Sequence, residues 1–433
     1  MPAEQRTLVV VMNGHRLGEL SSKAPGRVEL TYNDDLVDDP SAVALSVSMP
    51  LVGRRYRGRV VDSWISGLLP ERSEVLRRWR REFGVRRRDA FSLLWHLGED
   101  VAGAAQFVRP DRVEAASEPG ELLPLSAADV GERLRRLHTD RTAWGPSPAT
   151  GQFSLAGAQA KLALHLNVDG WSQPSGRTPT THIIKPAIPD LPDQDLCEHL
   201  TMRTATGLDL AVPATSITMF ADERALVVQR FDRARTSDGW LRVHQEDMCQ
   251  ALGVRPDDKY EVDGGPGVAR IATLIRETAT PPTGVSDVLE FLRAIGFNWL
   301  VAGTDAHAKN YAFLHGPGQS RLAPLYDLNS FLPYRRGREV ALAMMIGSWQ
   351  RDPGRVTVAD WVSVARKAHV EAEELLDDLR SMAERLPDVA RDVTNAPDVA
   401  TLGSPFASAF VDTVAAHASE CLARLNDLPD SRR

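Results

Sequence analysis

The sequence is short of lysine. Of its 51 basic residues only six are lysine (Lys23, Lys161, Lys185, Lys259, Lys309 and Lys367), and 45 are arginine. A GC-rich coding sequence explains such a bias, and it makes each remaining lysine a position worth weighing. Cysteine is nearly absent too. Cys197, Cys249 and Cys421 stand far apart with no CxxC pair, which excludes a disulfide framework. No apolar run reaches the roughly 18 residues of a membrane helix. The opening residues MPAEQRT lack the basic-then-apolar layout of a secretory leader. The expectation is a soluble protein of a reducing, cytoplasmic compartment, with no membrane partner. There is no GxxxxGK[ST], no GxGxxG, no HExxH and no internal repeat, which sets aside the P-loop, Rossmann and zinc-protease readings.

What remains is ordinary globular composition. The 433 residues are 43% hydrophobic and 25% charged, enough chain for two or three domains with real cores. The net charge of -7 hides one basic block: residues 54–88 hold twelve arginines against Asp62, Glu71, Glu74 and Glu82. That segment is +8 and the rest of the chain -15. Such a block suits an anion such as nucleic acid. It equally suits a solvated helix face with arginine stems lying over apolar surface.

Along the chain, an apolar run from Leu8 to Met12, the Asn13-Gly14 turn, Arg16 to Leu20 and Arg27 to Tyr32 read as strands. Glu74 to Phe83 and Ala90 to Leu97 follow at helical spacing. Residues 109–125, rich in proline and glycine, read as a linker, and Ser126 as the N-cap of a helix ending near His138. A second break is expected at 144–151. Strands are expected at Lys161 to Val168, Thr181 to Lys185, Ile217 to Phe220 and Ala225 to Arg230, with a helix from Leu196 to Thr206. Helices are expected at Val288 to Val301, Val358 to Leu386 and Phe406 to Leu425. The domains so drawn are 1–110, 111–150 (linker and short helix), 151–270 and 271–433, a two-lobed arrangement whose cleft is the expected ligand site.

Four elements carry chemistry. The first is Gly303-Thr-Asp-Ala-His-Ala-Lys-Asn310, on the loop after an apolar helix, with Asp327 seventeen residues later at the end of an expected strand. Phosphoryl transfer needs a carboxylate to take the proton of the attacking hydroxyl and hard oxygen ligands for magnesium. Asp305 fits the first role, and Asn310 and Asp327 the second. The plainer alternative is a polar turn with Asn310 as a left-handed helix cap. A zinc site built from His307 and His315 lacks the further ligands it would need. The second element is Lys185, at the end of the strand THIIK, with Glu198 thirteen residues on, as a kinase lysine and its glutamate partner would stand. The third is Ser154-Leu-Ala-Gly-Ala-Gln-Ala-Lys161, whose small residues let backbone amides approach phosphate oxygens. The fourth is the strand end Gln229-Arg230-Phe231, where an adenine would meet backbone and an aromatic ring. A strand end with an Asp232–Arg233 surface pair is the plainer reading there.

These elements, in this order, resemble the HipA family of serine/threonine kinases, the toxins of type II toxin–antitoxin pairs. The resemblance rests on 154–161, 180–186 (TTHIIKP), 226–233 (LVVQRFDR), 244–253 (HQEDMCQALG), 259–267 (KYEVDGGPG), 303–310 and 325–327 (LYD). Segments 12–20 (MNGHRLGEL), 48–51 (SMPL), 67–71 (GLLPE) and 97–104 (LGEDVAGA) are similar to that family's leading domain.

The resemblance implies an α+β, two-lobed kinase-like fold related to protein and phosphoinositide kinases, with an N-terminal β-rich domain and a mostly helical C-terminal lobe. It implies ATP and Mg²⁺, with Asp305 as catalytic base and Asn310 and Asp327 as metal ligands. His307 and Lys309 would lie beside the γ-phosphate. The phosphate loop would be Ala156, Gly157, Ala158, Gln159, Ala160 and Lys161, with Lys185 on the phosphates. Gln229, Arg230 and Phe231 would line the adenine site, and Tyr326 would join the nucleotide site. Ser154 matches the autophosphorylated serine.

Two residues depart from the pattern: Cys197 stands before Glu198 where a polar residue is expected, and Gln229 where an acid is common. The partners implied are a small helix-turn-helix antitoxin dimer (HipB-like), operator DNA with a possible direct contact by the 54–88 block, and a translation factor such as an aminoacyl-tRNA synthetase as substrate. The alternatives are a small-molecule or phosphoinositide-like lipid kinase and a non-catalytic DNA-bound corepressor module.

Overall fold

The computed structural model describes residues 6–24, 26–143, 154–188, 191–237, 239–280, 283–334, 340–347 and 351–427. The break expected at 144–151 lies outside the described residues. Contacts divide the chain into two compact units that are not contiguous in sequence: residues 1–186, 218–257 and 313–320 form the first, and 187–217, 258–312 and 321–433 the second. The boundaries expected at 110, 150 and 270 do not coincide with these units. The chain returns twice to the first unit, because strands from 223–229 and 312–316 pair with partners already laid down there.

The first unit begins with a meander of β1 (Arg6–Met12), β2 (His15–Ala24) and β3 (Arg27–Tyr32). Asn13 and Gly14 sit at φ 48° and 85°, as a two-residue hairpin turn requires. With β4 (Arg55–Arg57) and β5 (Ala105–Val108) the sheet order is β4-β3-β2-β1-β5. β1 is apolar at successive positions because both its faces are covered. Leu8 and Val10 join the large core, and Val9 and Val11 pack with Val108 and Ala116. Helices α1 (Arg59–Ser66), α2 (Ser73–Glu82) and α3 (Ala90–Leu97) bring Trp64, Trp79 and Phe91 into that core. Each such burial stabilises by about 1.5–3 kcal/mol.

Residues 109–125 are not a linker. They form α4 (Val113–Ser117) and the strand β6 (Pro119–Pro124), which pairs with a strand from 170–176. Pro119 and Pro124 are tolerated because β6 lies at the edge of its sheet, and Pro110 opens a 3₁₀ turn. Helix α5 (Ala127–Thr139) begins where Ser126 and Asp129 form a reciprocal capping box. The second sheet comprises β6, β7 (Leu162–Asn167), β8 (Gly170–Gly176), β9 (His182–Pro186), β10 (Thr215–Phe220) and β11 (Glu223–Gln229). Its order is β10-β11-β9-β7-β8-β6, so β9 is an interior strand. A hairpin of β12 (Arg233–Thr236) and β13 (Gly239–Arg242) follows, then β14 (His244–Asp247), which adjoins β15 (Ala312–Gly316) and β16 (Gln319–Leu322) in a small sheet.

The second unit is mostly helical. It holds α6 (Gln194–Gly207), while the four-residue α7 (Met248–Ala251) belongs to the first unit. Then come α8 (Val268–Thr278), α9 (Thr283–Leu300), α10 (Val358–Ala368), α11 (Ala372–Asn395), α12 (Pro397–Ala400) and α13 (Pro405–Asn426). The C-terminal half of α9 is buried all round. A Cβ on Gly296 would lie 2.1 Å from Leu379 Cδ2, so α9 and α11 approach through this glycine. The single helix expected from 358 to 386 divides at His369, which adopts the left-handed conformation at φ 51°. Val370 N then donates to Ala365 O at 2.9 Å and closes α10. No described helix is long and apolar enough to cross a membrane.

Candidate active site

The acidic loop is built by the end of α9. The chain turns at Ala302 (φ 49°), and Gly303 N donates to Asn298 O at 2.7 Å. A Cβ on Gly303 would lie 2.2 Å from Asn298 Oδ1, so glycine is required there. Asp305 O accepts from His307 N at 2.9 Å and from Asn310 Nδ2 at 3.0 Å, and Asn310 N donates to His307 O at 2.9 Å. The Asp-x-His-x-x-Asn spacing is therefore a closed, self-bonded turn. Asn310 ends a 3₁₀ turn and is not a left-handed cap. The Asp305 side chain is 67% exposed, whereas His307 and Lys309 are 4% and 6% exposed.

Burial, with Lys259 and Lys309 nearby, pushes the His307 pKa down to about 3. The ring is neutral at ordinary pH, so its Nε2, 3.8 Å from Asp305 Oδ1, forms no ion pair. Its buried Nδ1 has no hydrogen-bond partner among the described residues. His315 belongs to the first unit, where Nδ1 meets Ser320 Oγ at 2.7 Å and Nε2 lies 3.2 Å from Glu246 Oε1. Among the described residues no cluster of three or more His, Cys, Asp or Glu forms a metal cage.

Asp327 does not end a strand. β16 stops at Leu322, and beyond it Ala323 N donates to Ala312 O and Leu325 N to Ala211 O, both at 2.8 Å. Pro324 has no amide to continue a ladder, and the two flanking amides bond different segments. Asp327 itself is left-handed at φ 56°, which aspartate tolerates. Tyr326 Oη donates to Lys309 O at 2.6 Å and ties this segment to the acidic loop. The charge of Asp327 is felt at His307. Asp305, His307, Lys309, Asn310, Tyr326 and Asp327 thus lie together in the second unit.

Two residues that sequence reasoning quoted without a role join them. Tyr260 Oη donates to Asp305 Oδ1 at 2.7 Å, and Lys259 stands over the Tyr260 ring. The signal was present: Lys259 is one of six lysines and opens a glycine-rich motif.

The first unit holds the other expected group. Lys185 lies on β9, paired between β11 and β7, and is 4% exposed rather than a surface lysine. Gln159 Nε2 donates to Pro186 O at 3.1 Å and places the small-residue loop beside that strand end. The loop is anchored throughout. Ser154 N donates to Asp100 O and Ser154 Oγ to Leu68 O, both at 2.9 Å. Lys161 Nζ donates to Ala156 O at 2.8 Å, Glu71 N to Gly157 O at 3.1 Å and Arg72 Nε to Ala158 O at 2.6 Å. Gly157 sits at φ 109°, and a Cβ there would lie 2.7 Å from Lys161 Nζ. Ser154 is fully buried. Glu198 is buried in the second turn of α6, and Cys197 Sγ donates to Ser330 O at 3.3 Å.

Arg230 departs from expectation. β11 ends at the exposed Gln229, and Arg230 beyond it is buried. Its guanidinium donates to both Asp232 oxygens at 2.8–2.9 Å, to Thr180 Oγ1 at 2.8 Å and to Val101 O at 2.9 Å. Its amide donates to Thr181 O at 2.9 Å. Arg233 and Arg242 complete the cluster on Asp100 at 2.9 and 3.3 Å. The Asp232–Arg233 surface pair of the plainer reading is instead buried. Burial alone would raise the Asp100 pKa, but Arg233, Arg242 and Arg230 hold it well below the usual carboxylate range. Beside Arg230, Gln229 is exposed and Phe231 half-buried.

An exposed aspartate on a closed turn with an asparagine, and a buried lysine on an interior strand beside a small-residue loop, suit a kinase-like α+β fold. The comparisons agree. Residues 153–392 match the HipA-like C-terminal domain and residues 8–108 the HipA N-terminal domain. The chain is 35% identical over 403 residues to the putative kinase Y4mE of Sinorhizobium fredii, covering 91% of this chain and 90% of that one. It is 30% identical over 408 residues to the serine/threonine-protein kinase toxin HipA of Shewanella oneidensis, covering 90% of each. A solved complex of the Shewanella oneidensis HipA and HipB with operator DNA contains a chain with a TM-score of 0.80 to this one, at 27% identity over 97% of this chain and 98% of that chain. The chain belongs to the HipA family of kinase toxins.

Proposed function

We propose that this protein is an ATP- and magnesium-dependent serine/threonine protein kinase and the toxin of a type II toxin–antitoxin pair. The observation that carries the reading is the closed turn that holds Asp305, His307, Lys309 and Asn310 with Tyr326 and Asp327 in one place. The residues fit the nucleotide and the metal. The unpartnered, neutral Nδ1 of buried His307 suits a phosphate or water neighbour. Asn310 and Asp327 offer hard oxygens, and a two-residue protein contribution is ordinary for magnesium, which takes its remaining ligands from phosphates and water. The metal would supply charge neutralisation at the transferred phosphate. Asp305 positions the acceptor hydroxyl and takes its proton. Lys185 and the 156–161 loop hold phosphates, and Gln229 with Phe231 contacts the base.

Ser154 is the proposed autophosphorylation site. Its hydroxyl is buried against Leu68 O, so modification requires the loop to leave this position, and a phosphate dianion there would prevent its return. The proposed partners are a HipB-like antitoxin dimer and operator DNA, as in the Shewanella complex. Arg77, Arg81, Arg86 and Arg88 are exposed members of the basic block and suit a direct DNA contact. A translation component, such as an aminoacyl-tRNA synthetase, is the proposed substrate.

Expression in a host lacking the antitoxin tests the reading. Growth arrest relieved by Asp305→Ala, with phosphate transfer to a cell-extract protein by the wild type alone, supports it. Normal growth together with no phosphate transfer and no ATP binding by calorimetry overturns it.

A further inference from the structure

The segment 259–267 has no part in the reading above, yet the structure builds it around the candidate base. Tyr260 Oη donates to Asp305 Oδ1 at 2.7 Å. The Tyr260 ring meets the His307 ring edge-on, with centroids 4.9 Å apart, and Lys259 Nζ stands 5.1 Å from the centre of the Tyr260 ring. The backbone fixes the phenol in place. Asp263 N and Gly265 N both donate to Tyr260 O, at 3.0 and 2.9 Å, and Glu261 Oε2 accepts from Met345 N at 2.6 Å. Gly265 is needed for this turn, since a Cβ there would lie 2.3 Å from the backbone Asp258 O, and Gly267 leaves room for the Glu261 carboxylate. All these residues lie in the second unit.

A carboxylate as exposed as Asp305 samples several rotamers unless one oxygen is held. A phenol donating to a carboxylate makes a charge-assisted hydrogen bond, stronger than a neutral one. It engages Oδ1 and so fixes the orientation of the carboxylate. His307 does not hold Asp305 in this way, because its Nε2 is 3.8 Å from Oδ1, beyond hydrogen-bond distance. We propose that Tyr260 is a positioning residue for phosphoryl transfer, holding Asp305 by Oδ1 in the orientation in which the carboxylate meets the acceptor hydroxyl. This rests on the kinase reading above.

Tyr260→Phe keeps the ring, and with it the contacts to His307 and Lys259, and removes only Oη. The expected result is a kcat for phosphate transfer lowered about tenfold, equal to about 1.4 kcal/mol. The KM for ATP stays within about twofold of wild type, the pattern of an interaction realised at the transition state. The thermal midpoint stays within about 2 °C. Tyr260→Leu, which removes the ring as well, separates hydroxyl from ring: a kcat equal to that of Tyr260→Phe assigns the effect to Oη. A Tyr260→Phe enzyme at wild-type kcat overturns the proposal and leaves the kinase reading intact, whether Tyr260→Leu is slow or not. A wild-type protein that transfers no phosphate to any acceptor overturns both.

Discussion

Replacing Asp100 by alanine tests how the first unit holds its proposed nucleotide-binding elements together. The Asp100 carboxylate accepts from Thr180 N at 3.1 Å and Thr180 Oγ1 at 2.7 Å, and pairs with Arg233 and Arg242. Arg230 NH1 stands 3.9 Å away. The Asp100 backbone carbonyl accepts from Ser154 N. One residue thus touches the start of the small-residue loop, the approach to the Lys185 strand and the arginine after Gln229. The three arginines are almost fully buried, and burial has already pushed the Arg233 pKa down to about 10. Removing the carboxylate leaves their charges to Asp232 alone. Breaking a buried pair in this way costs about 3–5 kcal/mol. With a urea slope of about 2 kcal/mol/M, the unfolding midpoint falls by roughly 1.5–2.5 M. The control is Arg77→Ala, which breaks the exposed pair with Glu74 and costs under about 1 kcal/mol. Equilibrium urea unfolding of both variants, with ATP affinity by calorimetry, gives the comparison. A midpoint shift no larger for Asp100→Ala than for Arg77→Ala, with unchanged ATP affinity, refutes the account of the cluster.

Three further outcomes are expected. Burial lowers the folded pKa of His182, His199 and His244 to about 4 and of His307 to about 3. Between those values and the unfolded pKa of about 6.5 the unfolded chain binds more protons, so stability is complete above about pH 7 and falls as pH drops toward 4. Unfolding at pH 5.5 should take up more than one proton per molecule, and a urea midpoint independent of pH from 5 to 7.5 would contradict this. Lys185→Arg should abolish ATP turnover, because a planar guanidinium replaces a compact ammonium in a buried place, while exposed Lys367→Arg turns over normally; steady-state kinetics decides. Neutralising Arg77 and Arg81 should reduce the salt slope of operator binding by about 0.9 for each phosphate they neutralise in the complex, and an unchanged slope removes the direct DNA contact.

Local patterns were legible where one residue's neighbours along the chain decide its structure. The Asn13-Gly14 hairpin, the Ser126 cap and the helix before Gly303 follow from turn chemistry, capping and periodicity. The closed acidic turn was legible for the same reason, since its hydrogen bonds span five residues or fewer. What the sequence hid depends on distant partners. β6 looked like a linker because its strand partner β8 lies some fifty residues on. The burial of the Arg230 guanidinium was hidden because its partner Val101 belongs to the leading segment, 129 residues away. Asp327 looked like the end of a strand because Pro324 and the bonds to Ala211 and Ala312 act together to bend the chain. Tyr260 was overlooked because its partner Asp305 lies 45 residues on.

The central claim is that the closed turn around Asp305 transfers phosphate. The most direct measurement is the intact mass of the purified protein after incubation with ATP and Mg²⁺, followed by peptide mapping. The account predicts one added phosphate, located on Ser154, and none in Asp305→Ala. An unmodified wild-type protein that also labels no extract protein, or a phosphate that persists in Asp305→Ala, would contradict it.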